Sequence, residues 1–196
     1  MTREPAQRLQ DQAMDDLRFI RSAMANASQF TAVPGRGIIG VGITAIAAAF
    51  VANSLNTDLA RLATWVIEAA LAFTIGGVFL VQKARRASVD VTAGPGRKFM
   101  LAALPSFGAA LLISIAAYRL GDTTLVPAVW ILLYGTAVIA AGAFSVRPVP
   151  IMGCAFLVAG ALTLFLPIEF HNLMLGASFG ALHIVFGYVI ARHHGG

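Results

Sequence analysis

Charge is what this chain has least of. Asp, Glu, Lys and Arg make up 12% of its 196 residues, where an ordinary soluble domain carries about a quarter. Cysteine is nearly absent as well. Cys154 stands alone in an apolar run, which excludes an intrachain disulfide and a thiolate metal cluster. Catalytic signatures are missing too: no Walker-type loop, no H-E-x-x-H, no G-x-S-x-G, and no paired acids within one apolar run. Each of those chemistries needs several groups converging on one point. The first 30 residues, polar and mixed in charge, lack the basic segment, short apolar core and small-residue site of a cleavable signal. The expectation is no enzymatic activity, no cofactor and no metal.

In place of charge the chain has hydrocarbon. Hydrophobic residues make up 58% of it and the mean hydropathy is +0.79. A soluble core of this size cannot bury that much apolar side chain, so a single membrane domain is expected. The net charge of +5 and the pI of about 10.1 arise from basic residues beside apolar runs. That placement is explained by topology and lipid head groups, and nucleic acid is not expected as a partner.

Residues 6–30 read as an amphipathic helix. Leu9, Ala13, Leu17, Ile20, Met24 and Ala27 recur at helical spacing on one face, and Asp15 can pair with Arg18 one turn on. Two readings stand: a helix lying at the cytoplasmic interface or against the bundle, or a partner-binding helix. Thr31–Gly37, with Pro34 and two glycines, breaks it. Six apolar runs come next, at about Gly37–Asn53, Leu62–Val81, Phe99–Tyr118, Leu125–Val146, Pro150–Ile168 and Leu173–Ala191. Each fits the roughly 17–25 residues of a membrane helix. Backbone groups in lipid must pair internally, so the fold class is all-α, with six transmembrane helices. The division expected is residues 1–35 as cytoplasmic helix and linker, 36–192 as membrane domain and 193–196 as tail.

The connections set the orientation. Arg18, Arg21 and Arg36 precede the first run. Lys83, Arg85, Arg86, Arg97 and Lys98 fill the second connection, Arg147 the fourth, and Arg192, His193 and His194 the end. Six crossings put all of them on one side, which the positive-inside rule makes the cytoplasm, with both ends of the chain there. The membrane expected is a bacterial inner membrane.

Glycines repeat along the spans. Gly42, Gly108 and Gly160 each open a small apolar run in the first helix of a successive pair. Gly77, Gly142 and Gly187 each precede a basic exit in the second. Three tandem helical hairpins are expected, parallel repeats about an axis along the membrane normal. With segments such as GCAFLVAGALTLFLP followed by LMLGASFGALHIVFGYVIARHH, the chain resembles the HdeD-like family of small six-span membrane proteins. The resemblance covers the six spans and not the N-terminal helix. It implies the architecture and an association with acid-stress resistance, and it brings no catalytic motif.

Two ionisable residues lie inside the runs. Glu68 sits about two turns into the second span, and His183 lies at similar depth in the sixth. An intramembrane charge costs about 2.5–3.5 kcal/mol on insertion scales, so a polar partner is expected. A Glu68–His183 bond is the candidate, either as a structural tie or as a proton-titratable pair. Glu169 and His171 supply only two ligands and His183 is a lone deep histidine, so neither metal nor haem is expected. Gly176 and Gly180 form a GxxxG motif that with Gly187 makes a smooth face, for packing in the bundle or between subunits. Trp65, Trp130, Tyr118 and Tyr134 include candidate interface anchors, and Pro105 a candidate kink. The leading expectation is a non-catalytic, oligomeric membrane protein of structural, interaction or stress-response type, with lipid and further copies of itself as partners. The alternatives are a small transporter or channel along Glu68 and His183, and an accessory subunit of a larger membrane complex.

Overall fold

A computed structural model describes residues 12–20, 24, 30–88, 90–92 and 94–194. Helix α1 covers 12–20. It is followed by α2 (Gly35–Asn53), α3 (Asp58–Arg86), α4 (Gly94–Leu120), α5 (Val126–Gly142) and α6 (Pro148–Phe165). A last rod runs through a 3₁₀ turn (Ile168–Phe170), α7 (His171–Leu175), a π-helical segment (Gly176–Leu182) and α8 (His183–His194). No strand occurs among the described residues, only one isolated bridge between Phe30 and Ser145. Among the described residues five helical stretches are long and apolar enough to cross a membrane, and α5 is a shorter apolar helix.

Local chemistry sets the ends of these helices. The Thr57 side chain accepts the Ala60 N–H at 3.3 Å and Asp58 occupies the first turn, which starts α3. Gly121, at φ +74°, closes α4. Its N–H donates to Tyr118 O while that of Asp122 donates to Ala117 O, a pairing that needs the left-handed conformation glycine adopts freely. The Thr124 N–H then donates to Asp122 Oδ1 at 3.0 Å. The backbone and side chain of Thr124 together hold the Asp122 carboxyl below its ordinary value. A depressed folded-state value means the turn is supported above the ordinary carboxylate range and loses that support as pH falls through the depressed value. Asp122→Asn should abolish that part of the acid dependence of unfolding. Leu166 is extended ahead of Pro167, which ends α6.

The helices pack as two groups of three, with α2 central among α3, α2 and the last rod, and α5 central among α4, α5 and α6. The tightest packing is between α5 and α6 and between α2 and the last rod; α6 meets the last rod more loosely, leaving a pocket of about 190 Å³ lined partly by Val158, Leu162, Met174 and Ser178. Glycines seven residues apart make both tight seams. Gly35 and Gly42 face Gly187 and Gly180, and Gly135 and Gly142 face the α6 backbone near Gly153 and Pro150. A Cβ at Gly42 would lie 2.7 Å from Gly180 O, and one at Gly135 2.9 Å from Gly153 O, so these backbones touch only because the side chains are missing. Gly77 and Gly108, which share the expected repeat, meet nothing within 4 Å. The glycine repeat is thus a packing repeat at two of its three places on each set of helices, and it lapses at Gly77 on α3 and Gly108 on α4.

Phe30–Pro34 is more than a linker. The Phe30 N–H donates to Phe144 O and Ser145 Oγ donates to Phe30 O at 2.7 Å. The Phe30 ring lies 4.9 Å from that of Phe99 on α4. Phe30 and Ala32 have no exposed surface. Lys83 Nζ on α3 donates to Val33 O at 2.9 Å and to His194 O at 2.7 Å. This strap therefore ties elements of both groups together at one end. By contrast α1 is exposed along its described length: Leu17 and Ile20 are half exposed, Met24 is exposed just beyond it, and the Asp15–Arg18 ion pair forms at 3.0 Å. Leu9 and Ala27, the ends of its apolar stripe, lie outside the described residues.

Candidate functional site

The two intramembrane candidates are both buried, Glu68 at 6% and His183 at 3% exposure, but they do not bond to each other. Glu68 Oε1 accepts from Thr44 Oγ1 on α2 at 2.8 Å. His183 Nε2 lies 2.6 Å from the Tyr134 hydroxyl on α5, and its Nδ1 lies 2.8 Å from Phe179 O. The reason is the helix order. Helix α2 packs against both α3 and the last rod and stands between them, so an acid on α3 meets α2 first.

Each partner choice has simple chemistry. Phe179 O only accepts, so Nδ1 carries a proton, and in a neutral ring Tyr134 O–H then donates to Nε2. Thr44 Oγ1 also lies 2.9 Å from Val41 O. Its single proton goes to Glu68 when that carboxylate is ionised, or to Val41 O when Glu68 itself donates to Oγ1. The site tolerates either form without an orphaned atom, and among the described residues no buried side-chain N or O lacks a partner.

Rings surround His183 on three sides. Its centroid lies 5.2 Å from Tyr134, 5.3 Å from Phe156 and 6.0 Å from Phe179, with the last pair stacked. The chain of contacts continues from Tyr134 to Phe107 at 6.2 Å and on to Phe73 at 5.1 Å, linking α3, α4, α5, α6 and the last rod. The π segment immediately precedes His183. One extra residue in a turn rotates the downstream helix by about 100°, and such bulges are often found at functional sites. Tyr134 is thus partly buried against the core, whereas Tyr118 is 59% exposed. Tyr134→Phe removes the bond to Nε2 and leaves a buried acceptor unpaired. It should cost about 1–2 kcal/mol in detergent unfolding, while Glu68→Gln, which keeps an acceptor for Thr44, should cost less than about 1 kcal/mol.

A second polar cluster sits at the opposite end from the strap. Trp65 Nε1 donates to Asn172 Oδ1 at 2.9 Å, and Asn172 Nδ2 donates to Ala49 O at 3.0 Å, joining α3, α7 and α2. His171 lies with Nδ1 3.2 Å from Thr124 O and Nε2 3.2 Å from Leu166 O. Both nitrogens face backbone carbonyls, one of which takes the single N–H of a neutral ring, and Glu169 is exposed. Among the described residues no group of three His, Cys, Asp or Glu side chains is placed to hold a metal.

Gly176 faces Ala49, Gly180 faces Ile46, and Gly187 faces Gly35 and Ile39, so the GxxxG face is occupied by α2 within the chain. Lys83 is half-buried among carbonyls at the strap, while Arg85, Arg86, Arg97 and Lys98 lie at the same end. Helix α4 is continuous through Pro105. Sequence reasoning gives Thr44 no role, sets Tyr134 among the candidate interface anchors and Asn172 in a polar turn, because neither a hydroxyl in an apolar run nor an amide beside one shows its partner until the neighbour helix is known. Comparison of the chain with protein-family models, curated proteins and solved structures returned no match.

Proposed function

We propose that the chain is a six-span integral membrane protein without catalytic activity, oligomeric, serving a structural, interaction or stress-response role like that associated with the HdeD-like proteins it resembles. The observation that carries this reading is the outward-facing hydrocarbon. Leu104, Leu111, Leu112 and Ile115 on α4 are 46–68% exposed, and no residue of its most apolar window is buried. Water does not tolerate such a surface, and contiguous apolar patches of that size mark lipid or a partner. Helix α4 packs mainly on α5, so a wide face of it is open to a second copy as well as to lipid. The three hairpins enter and leave at the basic, cytoplasmic end, where the strap and His194 also lie. The α1 segment, with its apolar residues uncovered, serves as an interfacial or partner helix.

A proton-sensitive path is the second reading, favoured by a buried acid and a buried histidine inside apolar runs. Weighing against it, the two have different partners, His183 is enclosed by rings, and neither lines the pocket between α6 and the last rod or that between the start of α2 and the end of α3. Two measurements separate the readings. Purified in detergent, the protein should run as one defined homo-oligomer by light scattering; a monodisperse monomer contradicts the oligomeric reading. Reconstituted in liposomes, it should give no proton flux above empty vesicles. A flux abolished by Glu68→Gln would transfer the conclusion to transport.

A further inference from the structure

Between the start of α2 and the end of α3 lies a pocket of about 140 Å³ lined by Pro34, Arg36, Phe79, Gln82, Lys83 and Arg86. Three of its six lining residues are cations and none is an acid. Arg36 and Arg86 have no ion-pair partner among the described residues, while Lys83 donates from its ammonium to Val33 O and His194 O and so builds the wall. The Pro34 cap supplies no side-chain acceptor to α2, and the first intrahelical bond there is that from Ile38 N–H to Pro34 O. Residues 35–37 precede that bond, so the positive end of the dipole of a 19-residue helix lies beside the pocket at Pro34 and Arg36. Phe79, 38% exposed, supplies an apolar side to the same pocket.

Two guanidinium forks and an apolar wall, beside the positive end of a helix dipole, make a site for a tetrahedral oxyanion attached to something greasy. The volume is below the roughly 300 Å³ at which pockets for drug-sized ligands begin, so the group held is small. We infer that Arg36 and Arg86, beside the α2 N-terminus, bind a phosphate group, supplied by the headgroup phosphodiester of an anionic lipid of the inner leaflet. This rests on the membrane reading, which places the pocket at headgroup depth on the basic side; basic pockets between membrane helices on that side are where such headgroups bind. A bound phosphodiester would bridge α2 and α3 beside the strap and make the packing of that end depend on lipid charge.

The test uses the full chain in phosphatidylcholine vesicles, with spin-labelled phosphatidylglycerol and spin-labelled phosphatidylcholine compared by electron spin resonance. The wild type should hold the anionic label in preference. Arg86→Gln, an exposed side chain whose loss does not endanger the fold, should reduce that preference about fivefold, and Arg36→Gln with Arg86→Gln should bring it close to none. Arg85→Gln with Arg97→Gln removes the same charge from outside the pocket and should leave most of it. Inorganic phosphate that competes the label away assigns the site to free phosphate by the same chemistry; failure to compete assigns it to lipid. Equal loss in the control pair, or no preference in the wild type, overturns the site. Absence of any motionally restricted lipid, of either label, overturns the membrane reading itself and the lipid source with it.

Discussion

Valine at Gly42 or Gly135 should cost about 3 kcal/mol or more, enough to prevent recovery of folded protein, whereas alanine at Gly77 or Gly108 should be neutral or stabilise by up to about 1 kcal/mol. A Cβ at Gly42 meets Gly180 O at 2.7 Å and Ile184 N at 3.0 Å; at Gly135 it meets Gly153 O and Leu157 N, each at 2.9 Å. Those obstacles are backbone atoms of a neighbouring helix, which cannot rotate aside as a side chain can. Overpacking of this kind costs about 1–3 kcal/mol for the first methyl, and the branches of valine add to it. Gly77 and Gly108 have open space around them, so there only the gain in helix propensity remains. Denaturant titration in detergent, followed by circular dichroism, reads the sign directly. Equal tolerance at Gly42 and Gly77 would mean that the glycine seams do not hold the helices together.

Phe30→Ala should be nearly as damaging, with a loss of about 3–5 kcal/mol. The ring has no exposed surface, packs on Phe99, and belongs to a segment bonded to Phe144 and Ser145. Its removal leaves a cavity where the two three-helix groups are tied together. The effect should exceed that of Phe50→Ala, a ring 76% exposed on α2. Thermal unfolding in one detergent measures both; similar midpoints for the two variants would mean that the strap contributes little.

The long elements are legible in the sequence because hydrophobicity and length alone specify them. The six apolar runs correspond to α2 to α6 and the last rod, and the ends move by a few residues where Pro34, Gly121 or Pro148 set them. The run expected to reach Val146 ends as α5 at Gly142, because the chain turns there to offer Phe144 and Ser145 to the strap. Pairing is far less legible. The glycine repeat marks candidate contacts, yet nothing in it says that Gly42 and Gly142 are used while Gly77 and Gly108 are not. That difference depends on which helices end up adjacent. The Glu68–His183 bond does not form for the same reason: similar depth cannot join the two residues while α2 stands between their helices and Thr44 takes the acid. Thr31–Val33 reads as part of a breaker because Pro34 and its glycines dominate the local signal, and Phe30 as the end of the amphipathic helix, whereas Phe30 bridges to Ser145. The π segment has no sequence mark beyond the small residues that permit it.

Hydrocarbon around these helices, with the basic connections together on one side, is the claim on which the rest depends. Single cysteines at Ala87 and Thr123, placed in a Cys154→Ser background, test it in sealed right-side-out vesicles with a membrane-impermeant maleimide. Labelling is expected at position 123 in intact vesicles and at position 87 only after the membrane is opened. Labelling of both positions in intact vesicles, or release of the protein from the membrane by alkaline carbonate, would contradict it.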